Sequence, residues 1–139
     1  MYKSNHHDLK NRKQLLDSIP GIGEATINVI LSEFSNISDF RNAKALAAFI
    51  GVSPRIRQSG SSLNARGMMS KTGRSKLRKA FFMPALVALK HNPILVEMKQ
   101  RLTEAGKSKL AIVGAAMRKL VHLIYGVLKN GVPFDAKYA

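Results

Sequence analysis

The feature that most constrains the fold is an apolar stretch near the C-terminus, from Ser108 to Lys129. Its apolar residues recur every three or four positions, the spacing that places them on one face of an α-helix. Further apolar residues widen this face until only Arg118, His122 and Lys129 remain as a polar edge. The face consists of Leu110, Val113, Met117, Leu120, Ile124 and Leu128, widened by Ile112, Ala116, Leu123 and Val127. A helix this apolar is either the central element of the core or a subunit interface.

The same stretch does not fit a membrane span. Arg118, Lys119 and His122 lie near its middle, where charged side chains would be costly in a bilayer. The N-terminal segment MYKSNHHDLKNRKQ lacks the apolar core of a signal peptide. The sequence has no cysteine, which excludes a disulfide framework and a thiolate metal site. We therefore expect a cytoplasmic protein without a membrane partner.

Helical periodicity continues through most of the chain, which predicts an all-α fold in a single domain, residues 1–139. In the first region, 9–52, a short helix is expected from Leu9 to Ser18 and a second restarts near Glu24. A third helix should end at Gly51, because glycine commonly terminates helices.

Two further regions complete the expected fold. Residues 53–74 show no sustained period and are expected to form a basic loop rich in glycine and serine. Residues 75–130 should form the helical core. Its first helix, Ser75 to Lys90, is interrupted by Pro84, and its second has Pro93 in the first turn and Gly106 past its end. Its last helix is the apolar stretch, capped by Ser108.

Positively charged residues greatly outnumber negatively charged ones in this chain. There are 23 Lys and Arg residues against 8 Asp and Glu residues, a formal net charge of +15, and no acidic residue lies between Asp39 and Glu97. A protein surface usually mixes both signs. A one-sign block inside a folded domain indicates a polyanionic partner, most simply the backbone of a nucleic acid such as DNA. A disordered basic tail is the alternative, but apolar stretches flank the block on both sides.

The motif IPGIGEAT, from Ile19 to Thr26, lies between the first two expected helices. Gly21 and Gly23 allow a sharp turn and a close approach to a ligand, while Ile22 can insert into the core. The following helix starts with unpaired amides, which together with the helix dipole can bind an anion. The motif resembles a helix-hairpin-helix, which grips DNA by its phosphates. The alternative is an ordinary tight turn between helices.

A serine cluster follows in the basic loop. Ser59, Ser61 and Ser62 surround Gly60. A serine hydroxyl needs a base, a metal or charge stabilisation to act as a nucleophile. Arginine and lysine donors suit the negative charge that develops on an attacked phosphodiester. The candidate donors and phosphate contacts are Arg55, Arg57, Arg66, Lys71, Arg74 and Arg78. From composition alone, passive phosphate binding is favoured over catalysis, because most serines in basic loops only make contacts.

The order of these features resembles the C-terminal domain of insertion-sequence transposases of family 110, the group that includes the pilin-gene invertases. The shared features are a Gly-x-x-Pro turn at Gly51 to Pro54, Ser59-Gly60, Gly67, Ser-Lys-x-Gly at Ser70 to Gly73, and Leu77-Arg78 leading into a helix. The resemblance spans nearly the whole chain. It implies a DNA transposase or recombinase whose C-terminal domain supplies a serine nucleophile that bonds covalently to DNA.

Carried over to this sequence, the nucleophile falls on Ser59, with Ser61 and Ser62 as alternatives. The family also implies an N-terminal domain that holds magnesium with four acidic residues, a structured guide RNA, and a homo-oligomer. The eight acidic residues here form no cluster suited to a metal, so no metal ligand is assigned in this chain. The chain alone is therefore expected to bind DNA without cutting it.

Two other functional classes remain open. The first is a non-enzymatic helix-hairpin-helix module that binds DNA or structured RNA. It leaves unexplained the order of residues from the Ser-Gly pair to the Ser-Lys-x-Gly motif. The second is a helical oligomerisation domain, which explains the apolar C-terminal helix but not the block without acidic residues.

Overall fold

A computed structural model describes residues 2–33, 37–52 and 71–137, with the side chains of 2–8 and 71–75 left out of the description. These residues form α-helices and one 3₁₀ turn, with no strand in the ranges just given, so the all-α prediction is confirmed. The elements are α1 (Tyr2–Asp17), α2 (Glu24–Glu33), the 3₁₀ turn (Ile37–Asp39), α3 (Ala43–Ile50), α4 (Lys71–Ala80), α5 (Phe82–His91), α6 (Pro93–Glu104) and α7 (Lys109–Asn130).

The long helix α7 is the centre of the core. It packs against α1, α3, α5 and α6. Its buried residues are Ile112, Ala116, Met117, Leu120, Val121, Leu123, Ile124 and Val127. By length and composition alone α7 could cross a membrane, but this buried face lies inside the protein. The prediction fails at Leu110, which is 79% exposed, because α7 enters the core only from Ile112 onward.

Local capping signals fix several helix ends where the sequence predicts them. The Ser108 hydroxyl accepts a hydrogen bond from the amide of Ala111 at 3.1 Å and so caps α7. Gly51 ends α3 with a left-handed φ of 91°. The cap at the start of α3 was not expected from the sequence: the Asn42 side chain accepts from the amide of Ala45 at 2.8 Å.

Two predicted boundaries are wrong. Helix α1 begins at Tyr2 and not at Leu9, because the polar residues 2–8 give no hydrophobic period yet contain no proline or glycine to stop a helix. Helix α4 begins at Lys71, so the loop expected over 53–74 is too long at its end. Gly73 favours a loop at this position. One glycine inside a helix, however, lowers the stability of that helix by only about 1 kcal/mol.

The helix expected from Ser75 to Lys90 is two helices, α4 and α5, separated at Phe81. Pro84 has no amide hydrogen, so it cannot bond to the carbonyl of Ala80 four residues earlier. The break therefore falls at the end of α4 and not at Pro84 itself. Phe81 at the junction is fully buried, which anchors both helices in the core.

A buried polar side chain joins the N-terminal turn to the rest of the core. Asn92, between α5 and α6, has no exposed surface. Its Oδ1 accepts from the amide of Ile94 at 3.0 Å, which caps α6. Its Nδ2 donates to the carbonyl of Pro20 at 3.1 Å, 72 residues earlier in the chain. One amide group thus satisfies both a helix end and the turn between α1 and α2.

We predict that Asn92→Ala lowers the free energy of unfolding by about 2–4 kcal/mol, since it removes a helix cap and leaves the Pro20 carbonyl unsatisfied. Asn42→Ala is the matched control, because it removes an exposed cap without a link to another part of the chain. It should cost only about 1 kcal/mol. Urea unfolding of both variants measures the difference. Equal losses would show that the Pro20 link contributes nothing.

Candidate nucleic-acid interface

The turn between α1 and α2, residues 18–23, is here called the hairpin turn. Two backbone bonds shape it, from the amide of Ile19 to the carbonyl of Leu16 at 3.1 Å and from Ile22 to Ile19 at 3.1 Å. Ile19 and Ile22 are 1% and 6% exposed and belong to the core. The expected insertion of Ile22 into the core is therefore observed.

Gly21 is required by packing within the protein. Its φ is +106°, a conformation that side chains disfavour. A Cβ atom at this position would lie 2.6 Å from the Cβ of Ala88 on α5, far inside van der Waals contact. The close approach that the structure shows at Gly21 is thus to α5. This contact packs the hairpin turn against the core, next to the hydrogen bond between Asn92 and Pro20.

Gly23 differs, because it faces solvent. It is exposed, and no described atom lies within 4 Å of the position that a Cβ would take. The first bond of α2 runs from the amide of Ile27 to the carbonyl of Gly23 at 3.0 Å. The four preceding amides, those of residues 23–26, donate no hydrogen bond to any other described residue. Free amides at a helix N-terminus form a region of positive potential that suits a phosphate.

Stability measurements should separate the two glycines. Gly21→Ala is expected to lower the free energy of unfolding by roughly 2–5 kcal/mol, from left-handed strain and the clash with Ala88. Gly23→Ala should change it by about 0.5 kcal/mol or less, since the added methyl meets open space. Thermal unfolding followed by circular dichroism tests both. A large fall in the free energy of unfolding of Gly23→Ala would contradict the different surroundings assigned to the two glycines.

Helix α4 carries basic side chains and packs against α2. It packs against α2, α3 and α5, with Leu77 fully buried. Lys76, Arg78 and Lys79 around it are exposed. Of the predicted phosphate contacts, Arg78 therefore lies on the surface of a helix that packs against α2.

The remaining predicted residues fall elsewhere. Lys71 and Arg74 lie in the first turn of α4, and only their backbone is described. The serine cluster and three arginines lie outside the described residues, so their arrangement stays a prediction; these are Arg55, Arg57, Ser59, Ser61, Ser62 and Arg66. Within the described ranges no group of three or more His, Asp or Glu residues could hold a metal ion.

Two residues that position the hairpin turn were missed from the sequence. Asn92 precedes Pro93, and Asn-Pro at the start of a helix is a capping signal, but nothing in it reveals the bond to Pro20. Ser18 directly follows α1. Its hydroxyl donates to the carbonyl of Leu15, a common contact at the end of a helix. Its Oγ also accepts from the amide of Phe134 at 2.8 Å, which fastens the C-terminal segment to the turn.

These observations define a strongly basic α-helical domain in which the N-terminal amides of α2 are free and a basic helix packs against α2. A family model described as "Transposase IS116/IS110/IS902 family" matches residues 13–110. Since this match covers most of the chain, the protein belongs to that transposase family.

Curated relatives agree with this family. The chain is 37% identical over 131 residues to a pilin gene-inverting protein of Moraxella bovis, which is 94% of this chain and 41% of that protein. It is 24% identical over 123 residues to an insertion element IS110 protein of Streptomyces coelicolor, or 88% of this chain and 30% of that protein. A transposase for insertion sequence element IS1111A of Coxiella burnetii is 35% identical over 78 residues, 56% of this chain and 21% of that protein. The chain thus spans about two fifths or less of the length of these relatives.

Proposed function

We propose that this chain is the DNA-binding, nucleophile-bearing domain of a transposase or site-specific recombinase that acts on an insertion sequence. Family membership supports the reaction class, and the names of the relatives include a gene-inverting protein and a transposase. The single observation that carries the DNA-binding part is the exposed N-terminus of α2, whose amides are free and whose neighbour α4 is basic.

The proposed binding step places one DNA phosphate at the amides of residues 23–26, as a helix-hairpin-helix does. Backbone amides read no base, so this contact is independent of sequence. The exposed cations of α4 would hold neighbouring phosphates. Glu24 opposes this step, because its exposed carboxylate lies in the first turn of α2 and repels a phosphate there.

The proposed chemical step belongs to Ser59. Its hydroxyl loses its proton as the oxygen attacks phosphorus, the bond from phosphorus to one deoxyribose oxygen breaks, and that departing oxygen takes up a proton and leaves as a hydroxyl. Arg57 and Arg66 would stabilise the negative charge that develops on the phosphoryl oxygens. Magnesium would be held by acidic residues of another domain, since the described part of this chain holds no cluster suited to it.

Two substitutions next to each other should move DNA affinity in opposite directions. We expect Gly23→Val to weaken binding of every duplex sequence alike, because its side chain blocks the approach to the amides. Glu24→Gln should tighten binding, because it removes a negative charge at the phosphate position. Fluorescence anisotropy with two unrelated DNA duplexes measures both effects. The binding hypothesis fails if Glu24→Gln leaves affinity unchanged while Gly23→Val folds normally and binds normally.

The salt dependence of binding tests the same contact in a different way. If about six phosphates are neutralised, affinity should fall by roughly a thousandfold between about 50 and 200 mM salt. Titrations at several salt concentrations give the slope. A flat response would contradict a charge-dominated interface.

The nucleophile can be tested in a chimera in which this chain replaces the matching segment of the Moraxella bovis protein. With the chimera active, Ser59→Ala should abolish strand exchange and retain DNA binding, since one hydroxyl adds little to a charge-dominated interface. Ser61→Ala and Ser62→Ala are the matched controls and should stay active.

Mass spectrometry of a trapped protein–DNA adduct identifies the attacking residue directly. An adduct on Ser61 or Ser62 would move the assignment to that residue. Full recombination by the triple alanine variant would contradict a serine nucleophile among Ser59, Ser61 and Ser62 and favour a non-enzymatic binding module.

A further inference from the structure

A groove of about 550 Å³ lies between the C-terminal half of α7 and the segment that follows it. Its apolar lining includes Leu123, Val127 and Phe134, and its polar lining includes Lys119 and His122. Phe134 is only partly buried, so part of its side chain is accessible. The volume lies within the range of about 300–1,000 Å³ that small-molecule sites occupy.

Basic side chains lie in and beside one side of this groove. Burial and then the positive charges of Lys119, Arg118 and Lys44 lower the pKa of His122, which favours its neutral form. Lys119 lines the groove, whereas Arg118 and Lys44 lie near His122 outside the lining. Helices α3 and α7 pack together, and the Tyr125 hydroxyl of α7 donates to the carbonyl of Phe40, which precedes α3, at 3.2 Å.

These cations are not neutralised by neighbours. Across the described residues the ion pair formed is between Arg101 and Glu97 at 3.8 Å, far along the chain from the groove. The one carboxylate in the groove lining, Asp135, accepts from the amide of Lys137 at 2.9 Å. The groove therefore combines an apolar floor with the charged end of Lys119, which forms no ion pair with a described residue, and its carboxylate Asp135 is held by a backbone amide.

The groove is connected to the hairpin turn. Phe134, which forms one wall, donates its amide to the Ser18 hydroxyl at 2.8 Å. Ser18 is the first residue of the hairpin turn. A nucleic-acid strand held at the amides of residues 23–26 would thus have a second, structurally linked surface within the same domain.

We propose that this groove binds one unpaired nucleotide of a nucleic-acid strand. The base would lie against Leu123, Val127 and Phe134, and its flanking phosphates would contact Lys119, His122 and Arg118. An apolar ligand would not use the charges, and a phosphate alone would not use the apolar floor, whereas a nucleotide uses both. This inference rests on the proposed function, since it adds a base-accepting contact to a phosphate-binding domain.

Gly126 offers a test that leaves the fold intact. It lines the groove, and a Cβ there meets no described side chain within 4 Å. Gly126→Leu would fill the groove and should not lower the melting temperature, because leucine favours a helix over glycine. Lys119→Glu reverses a charge at the groove, and Lys109→Glu is its matched control at the exposed first turn of the same helix.

The experiment compares a short DNA duplex with one unpaired adenine, the same duplex with an abasic site there, and the fully paired duplex. The protein should bind the unpaired adenine about tenfold more tightly than either control duplex, which is about 1.4 kcal/mol. Gly126→Leu should lose this preference and keep its affinity for the paired duplex. Lys119→Glu should weaken binding of the unpaired-adenine duplex more than Lys109→Glu does.

The same series in RNA shows whether DNA, RNA or both supply the nucleotide. Equal binding of the adenine and abasic probes in both nucleic acids would overturn this inference, as would a Gly126→Leu variant that keeps the preference. In both cases binding of the paired duplex would survive, and the proposed function with it. Failure to bind any probe would overturn the proposed function as well.

Discussion

The position of the hairpin turn depends on the buried side-chain amide of Asn92. A buried amide must satisfy its hydrogen-bonding groups inside the protein, and Asn92 does so by capping α6 and bonding to Pro20. The contact between Gly21 and Ala88 lies on the same side and admits no side chain at residue 21. The Ser18 bond to Phe134 holds the first residue of the turn. These three contacts fix the turn, and residues 23–25 at the start of α2 are left exposed to solvent.

Pre-orientation matters for a partner that is recognised by charge. A mobile loop would lose conformational entropy on binding each phosphate, whereas fixed amides do not. In the proposed function, the exposed cations of α4, whose helix packs against α2, would add affinity without adding sequence preference. The hairpin turn would position the strand, the groove beside α7 would accept a nucleotide, and Ser59 would supply the nucleophile.

The sequence predicts the local features of this fold well. Caps such as Ser108 and Gly51 depend on residues only a few positions away in the sequence. The apolar face of α7 follows from the regular spacing of its apolar residues, so the caps and the face can be predicted without a structure. Pro84 was recognised as a helix breaker, but the break at Phe81 depends on which carbonyl the proline leaves unpaired.

Contacts between distant residues could not be predicted in the same way. The bond from Asn92 to Pro20 and the packing of Gly21 on Ala88 join segments that no periodicity relates. Gly21 and Gly23 look equivalent in the motif, yet one contacts α5 and the other faces solvent. The sequence therefore predicts the candidate site only as a stretch, Ile19 to Thr26, and the different packing of its two glycines required the fold.

The most direct test of the central claim is an NMR titration of the ¹⁵N-labelled chain with a short DNA duplex. The account predicts that the largest backbone amide shifts occur at Gly23, Glu24 and Ala25. The side-chain amide of Asn92 should barely shift, because it is buried behind the turn. Unchanged amides at residues 23–26 at saturating DNA, with shifts confined to other surfaces, would contradict phosphate binding at the hairpin turn.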